Sequence, residues 1–326
     1  MVKPLAPAGA EAELPRLMLF HIRHRLDYSY DHPVFLEPMT LRLTPRQDAS
    51  QRLLRHSLRI VEPPLGQASI VEPDGSDAVV LWFGEKRQSL VIEVESVVET
   101  LRDNPFAWIV TDAGAQHLPA HYQPGEAASL APSCGGAVAE PVRSWAAELA
   151  AGAQHHTLDF LTQLTDTIHL TFHHVGRPDG EPLPASDCLT SRCGACRDTA
   201  MLFVEACRSQ GLAARFVSGY SMHHPPEVSE QELHAWAEVY LPGGGWRAYD
   251  PSLGLAVADG HVAIAAAPDH QLAAPVSGTY RGTGIGSNMG YTVRLRAAAT
   301  AAELNLPPAD AFPGSGASLG EGAAIR

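Results

Sequence analysis

The chain has 326 residues, 45% of them hydrophobic and 18% charged, which is enough apolar material for a sizeable core and excludes a wholly disordered protein. Lys and Arg number 23 against 36 Asp and Glu, a formal charge of −13, so no basic surplus exists to hold a nucleic acid or an anionic membrane surface. No apolar run approaches the ~20 residues of a membrane helix. The first sixteen residues, with Glu11, Glu13 and three prolines, lack the apolar centre of a signal peptide, and a cytoplasmic protein is expected.

Residues 1–16 read as a flexible arm. From 17 to 105 short β-type runs follow one another between turn residues: LMLFHIRHRLDYSY, MTLRLTPR, HSLRIVEP, AVVLWF and SLVIEVESVVE. Pro73-Asp74-Gly75 supplies one turn, and the region is expected to be an all-β sandwich or barrel. Its histidines, His21, His24, His32 and His56, are scattered and carry no chemistry that a cluster would. Residues 106–139 hold several prolines and Gly-rich spots and read as a linker.

The period then changes. Pro141 to Gly152 predicts a helix with proline in its first turn and glycine at its end, and Leu161, Leu164, Ile168 and Phe172 continue at helical spacing. A loop from Gly176 to about Arg192 leads into a third helix, from Ala195 to about Gln210, stopped by Gly211. Strands are expected at 214–220, 234–241, 245–250 and 291–296, which makes residues 140–300 an α+β unit. Residues 301–326, rich in Ala, Gly and Pro, read as a disordered tail.

Five cysteines in a chain of this length are not a secreted disulfide framework. On the third helix Ala200, Phe203, Val204 and Cys207 form an apolar stripe, and Cys196 lies one turn earlier on the same face. A sulfur at a helix N-terminus meets the positive end of the helix and its free N–H groups, surroundings that favour the thiolate of a nucleophile. Cys207, about 16 Å further along that helix, is too far to pair with it and suits a buried apolar role.

A thiolate nucleophile needs an imidazole, and the imidazole needs an orienting partner. Among 16 histidines, His234 stands at the start of a strand whose hairpin partner ends at Asp250, before Pro251 stops the ladder. A symmetric turn pairs Asp250 with about Ala237, three residues from His234, so a bulge or an asymmetric loop is needed to bring the two together.

Gly194-Ala-Cys-Arg-Asp198, Arg208 to Tyr220, His234-Ala-Trp-Ala-Glu-Val-Tyr240 and Gly245-Trp…Asp250-Pro251 resemble, in this order, the transglutaminase-like superfamily, and most closely its bacterial branch of candidate cysteine proteases. Ser277-Gly-Thr-Tyr-Arg-Gly282 and the β-rich first hundred residues resemble further parts of that branch. The resemblance implies a papain-like core behind an all-β sandwich-like domain, with Cys196 as nucleophile, His234 as base and Asp250 as its orienter. It also implies acyl transfer on a peptide, protein or amide substrate, with hydrolysis expected over cross-linking. Three positions depart from the pattern: Ala267-Pro-Asp-His270 stands for Gly-Arg-Asp-Tyr, Ser252 for a threonine, and Cys193 is foreign to its place.

The backbone N–H of Cys196 is one expected oxyanion donor. No cofactor or metal is expected, since the acids show no calcium-loop spacing. Three other readings compete. Cys188, Cys193 and Cys196 have the opening spacing of an iron–sulfur site, but no cysteine follows Cys207. Cys193-Gly-Ala-Cys196 is a C-x-x-C motif before a helix, as in thiol–disulfide exchange proteins, or a reversible cap on Cys196. A binding module that kept the fold without activity is the third.

Overall fold

Six strands come first, β1 (Met18–Leu36), β2 (Met39–Leu41), β3 (Gln51–Ile60), β4 (Gly66–Val71), β5 (Asp77–Trp82) and β6 (Arg87–Thr100), and in the long β1 and β6 apolar residues alternate with charged or polar ones. The helical stretch contains α1 (Pro124–Cys134), α2 (Glu140–Gly152), α3 (Thr157–Thr171), β7 (His173–His174), α4 (Ala185–Ser191), β8 (Cys193–Gly194) and α5 (Cys196–Ser209). After it come β9 (Ala214–Ser221), β10 (His234–Leu241), β11 (Gly245–Asp250), β12 (Leu255–Ala256), β13 (His261–Ala267), β14 (Val276–Ser277), β15 (Tyr280–Arg281) and β16 (Ser287–Ala298). The computed structural model describes residues 18–177, 180–223 and 233–306. The arm at 1–16 and the tail beyond 306 lie outside them. Residues 301–306 form a turn that buries Leu304 and is bonded by Arg296.

In the N-terminal half, β1 runs antiparallel between β6 and β16, with β3 beyond β6, and a second sheet has the order β14-β2-β5-β4. Along β1 the even positions Phe20, Ile22, His24 and Leu26 face inward. Arg23 and Arg25 face out, across from Glu95 and Glu93. The division of the chain near residue 140 is therefore not the division of the sheets. Residues 276–298 return to the N-terminal half, because the long β1 leaves an edge that the alternating Tyr291–Arg296 run fills.

In the other half, α5 packs on β9 and β10 of the sheet β12-β11-β10-β9-β13, with α2, α3 and α4 around it. Phe160, Leu164, Phe203, Val204, Ala237 and Val239 belong to this core. The expected linker is not an open connection. Pro124 starts α1 at a position where its missing N–H costs nothing, and Leu118, Ala120 and Leu130 are buried. Likewise the expected loop at 176–192 contains α4, which places Cys188 and Leu189 in the core.

The two halves share an interface. Tyr220, Val262 and Ile264 of the core sheet pack among the N-terminal side chains. Gln51 bonds both backbone groups of Ala263 at the outer edge of β13, at 2.8 and 2.9 Å, which satisfies an edge strand that would otherwise be open.

Candidate active site

α5 begins where the sequence places its N-terminus. Ala195 is the N-cap, and the Asp198 carboxylate accepts the Ala195 N–H at 2.8 Å, an acid at the third helical position doing half of a capping box. Asp198 also accepts from Leu183 N–H at 2.7 Å and from Arg177 at 2.6 Å, and it is fully buried. One carboxylate thus ties the helix start to Arg177 and Leu183. Cys196, half-buried, is the first residue of the helix, so its backbone N–H is among the first-turn donors that the helix leaves free. Gly211, at φ +77°, closes the other end.

The hairpin of β10 and β11 pairs Leu241 with Gly245 and Tyr240 with Trp246. Continued, that register sets Asp250 opposite Trp236, so His234 lies two residues away on the same face. The bulge expected from a symmetric turn is not needed, since diagonal neighbours two residues apart on one face are within reach of long side chains. His234 Nε2 and Asp250 Oδ2 are 2.6 Å apart. Cys196 lies close enough to His234 to raise its proton affinity through both charge and a side-chain hydrogen bond. The three residues singled out in the sequence therefore come together in the order thiol, imidazole, carboxylate.

Asp250 is fully buried and accepts from five donors. Oδ1 takes the Ser252 N–H at 3.0 Å, the Ser252 hydroxyl at 2.7 Å and the Leu253 N–H at 3.1 Å. Oδ2 takes His234 and, at 3.0 Å, His261 Nε2. Burial alone would raise its affinity for a proton, but the charge and hydrogen bond of His234, together with the hydrogen bond from His261, win and hold the carboxyl well below the usual carboxylate range. Burial likewise works against an imidazolium at His234. The Asp250 carboxylate and the Cys196 sulfur outweigh it and place that imidazole well above its ordinary value. Ser252, which stands where a threonine is usual in the resemblance, keeps the hydroxyl that the carboxylate uses.

His261 and Asp198 are parts of the site that the sequence reading left without a role. A charged residue at the third helical position was a readable capping signal for Asp198. His261 opens an Ala-rich strand, His-Val-Ala-Ile-Ala-Ala-Ala267, that shows no alternation. Trp236, buried, stacks at 6.1 Å on the His234 ring and meets His261 edge-on at 5.0 Å, shielding both from water. The approach of β13 depends on Gly219: a Cβ there would stand 2.1 Å from Val262 O and 2.7 Å from the Trp236 ring.

The segment Ala267 to His270 closes β13. Pro268 O accepts from Arg208 at 2.6 Å, and the Asp269 carboxylate caps a short turn of 3₁₀ helix at 270–273. Ala267 and, at the end of that turn, Ala273 belong to the small cluster against which Cys196 packs.

His234, Asp250 and His261 present ligand atoms within 4.8 Å of one another, a group that could hold a metal ion, but the separations of 2.6 and 3.0 Å are those of proton-bridged hydrogen bonds. Among the described residues Cys188, Cys193 and Cys196 do not converge as a metal-holding set. All five cysteines are free thiols. Burial pushes Cys188 up to about 12 and Cys207 well above its ordinary value, as suits inert core positions.

Residues 143–251 match the transglutaminase-like superfamily, and residues 20–99 match the bacterial transglutaminase-like N-terminal region. The chain is similar to an uncharacterized protein of Mycobacterium tuberculosis, 25% identical over 280 residues that span 79% of this chain and 86% of that one. An uncharacterized protein of Mycobacterium leprae is 24% identical over 267 residues, 80% and 92% of the two chains. The solved structure of a candidate cysteine protease from Cytophaga hutchinsonii has a TM-score of 0.65 at 21% identity and covers 86% of this chain and 90% of that one. That likeness shows the fold: a papain-like α+β core together with a β-rich N-terminal region.

Proposed function

The chain belongs to the transglutaminase-like superfamily, its core preceded by the bacterial N-terminal region, and on that premise we propose that it is a cysteine-dependent acyl-transfer enzyme acting on peptide or amide bonds. The observation that carries the reading is the line of hydrogen bonds from Cys196 through His234 to the buried Asp250. In this reading the proton of the Cys196 thiol rests on His234, whose charge Asp250 stabilises.

The thiolate attacks the substrate carbonyl and forms a C–S bond, and the negative charge moves to the oxygen beside the Cys196 N–H. As the C–N bond breaks, the imidazolium gives its proton to the departing amine. A thioester remains. Neutral His234 then takes a proton from water, the resulting hydroxide equivalent adds to the thioester, and collapse releases the carboxylic acid and the thiolate. An amine in place of water would give transfer. Hydrolysis is the favoured outcome, supported by the likeness to a candidate cysteine protease.

The test is limiting iodoacetamide at about pH 6, with and without prior reduction, followed by peptide mapping. Labelling of Cys196 far ahead of the other four supports the reading, and a screen of amide substrates with and without added amine then separates hydrolysis from transfer. Labelling only after reduction, together with Cys193, would favour a thiol–disulfide protein built on Cys193 and Cys196. Uniformly slow labelling would leave a binding module on the same fold. No helix among the described residues is long and apolar enough to cross a membrane, and the proposed substrate is a peptide, protein or small amide.

A further inference from the structure

Asp250 has two imidazoles on one oxygen, and a Cys–His–Asp relay accounts for only one of them. His261 reaches Oδ2 from β13, which Gly219 allows to lie close against β9. Its side chain is 1% exposed. A carboxylate can only accept, so Nε2 carries the proton, and Nδ1 is then a bare lone pair with no partner among the described residues.

We propose that His261 is a positioning residue of the site, a neutral donor that shares the Asp250 charge with His234 and thereby sets how tightly His234 holds its proton. The inference rests on the reading of His234 as the base. The titratable groups that face His261 are Asp250 from β11, His234 from β10 and His223 just beyond β9. Burial keeps the His261 imidazole below its ordinary value, in line with a neutral ring.

The direction of the effect follows from net charge. With His234 protonated, the imidazolium–carboxylate pair is neutral. Once His234 gives up its proton, a bare carboxylate remains buried, and a neutral N–H donor stabilises that state more than it stabilises the pair. His261 therefore eases release of the proton that the leaving amine needs. Without it, the full carboxylate charge would fall on His234 and hold the proton too firmly.

The experiment is long-range ¹H–¹⁵N spectroscopy of the full chain labelled at histidine, titrated between about pH 5 and pH 9. In the wild type His261 is expected as the neutral Nε2–H form throughout. In His261→Leu, the pH at which His234 loses its proton should rise by about one unit, the worth of part of one charged hydrogen bond. His261→Gln, whose side-chain amide keeps a donor, should stay within about 0.3 unit of the wild type. A charged or Nδ1–H His261, or an unmoved His234 in a folded His261→Leu, would overturn the proposal. Should the leucine variant not fold, the wild-type tautomer and the glutamine titration decide. Unselective alkylation of Cys196 in the wild type would defeat the enzyme reading without touching the tautomer of His261.

Discussion

His24 and His234 are both buried imidazoles bonded to a side chain of another strand, yet they lie on opposite sides of the ordinary histidine value. His24 sits at the seam between the N-terminal sheet and the core sheet, its Nδ1 at 3.0 Å from the Tyr220 hydroxyl. No carboxylate adjoins it among the causes that move it, and burial alone drives it down to about 4. His234 sits at the end of the core sheet under the same burial, but Asp250 and Cys196 reverse the sign. Two equally dry places thus hold opposite protonation states, and what separates them is one carboxylate that five donors keep ionised.

The largest way to break this contrast is Asp250→Asn. The amide keeps the shape and removes the charge, so His234 loses the partner that offsets its burial. We expect iodoacetamide labelling of Cys196 at about pH 6 to slow by a hundredfold or more, a loss comparable in kind to neutralising the acid of other nucleophile–imidazole–acid sites. A labelling rate within a few-fold of wild type would mean that Asp250 does not hold the charge on His234.

Gly219→Ala acts on the same place through sterics. Its methyl would meet the backbone of β13 at 2.1 Å and the Trp236 ring at 2.7 Å, and backbone cannot yield as a flexible side chain does. A loss of about 3 kcal/mol in urea unfolding is expected, at the upper end of overpacking costs. The variant should also move the His261 signals while leaving those of His24 in place.

The seam gives the next effect, in pH. The folded-state value of His24 lies below the unfolded one, so between about 4 and 6.5 the unfolded chain binds the extra proton. Stability then falls as the pH is lowered through that window, by up to about 3 kcal/mol from this residue. His234, raised, has the opposite sense: its contribution is full below about 6.5 and is lost as the pH climbs through its raised value. Unfolding free energies of the wild type and His24→Gln at pH 7.5 and about pH 4.5 would separate the two, with the variant losing less on acidification. Equal losses would take His24 out of the account.

Much of the site was legible because its signals are local. Cys196 could be placed at a helix start from the stripe Ala200, Phe203, Val204 and Cys207, and His234 and Asp250 from a hairpin with Gly243 and Gly244 at its tip. A symmetric turn misses the register by one residue, since the pairing of Leu241 with Gly245 depends on how the Pro242–Gly244 loop closes, and a one-residue slip changes which face a side chain joins. His261 was hidden because Ala-rich β13 has little strand preference of its own. Its pairing with β9 and its contact with Gln51 are long-range. The return of β16 to β1 and the burial of Leu118 and Leu130 were hidden for the same reason: prolines and glycines mark where a chain turns, not where the next segment docks.

The smallest expected effect concerns Ser252. Its hydroxyl is one of three donors on Asp250 Oδ1, and two backbone N–H groups, of Ser252 and Leu253, remain when it is removed. Ser252→Ala should therefore cost about 1–2 kcal/mol, the worth of one hydrogen bond to a buried charge, and leave His234 charged, because the carboxylate keeps four donors. Ser252→Thr restores the hydroxyl with one added methyl at a position that is 9% exposed, and should unfold within about 0.5 kcal/mol of the wild type. The pair separates two parts of the carboxylate's environment: if Ser252→Ala slows Cys196 labelling as much as Asp250→Asn does, the hydroxyl aims the charge as well as stabilising it. The backbone donors are then insufficient to hold the orientation that His234 needs.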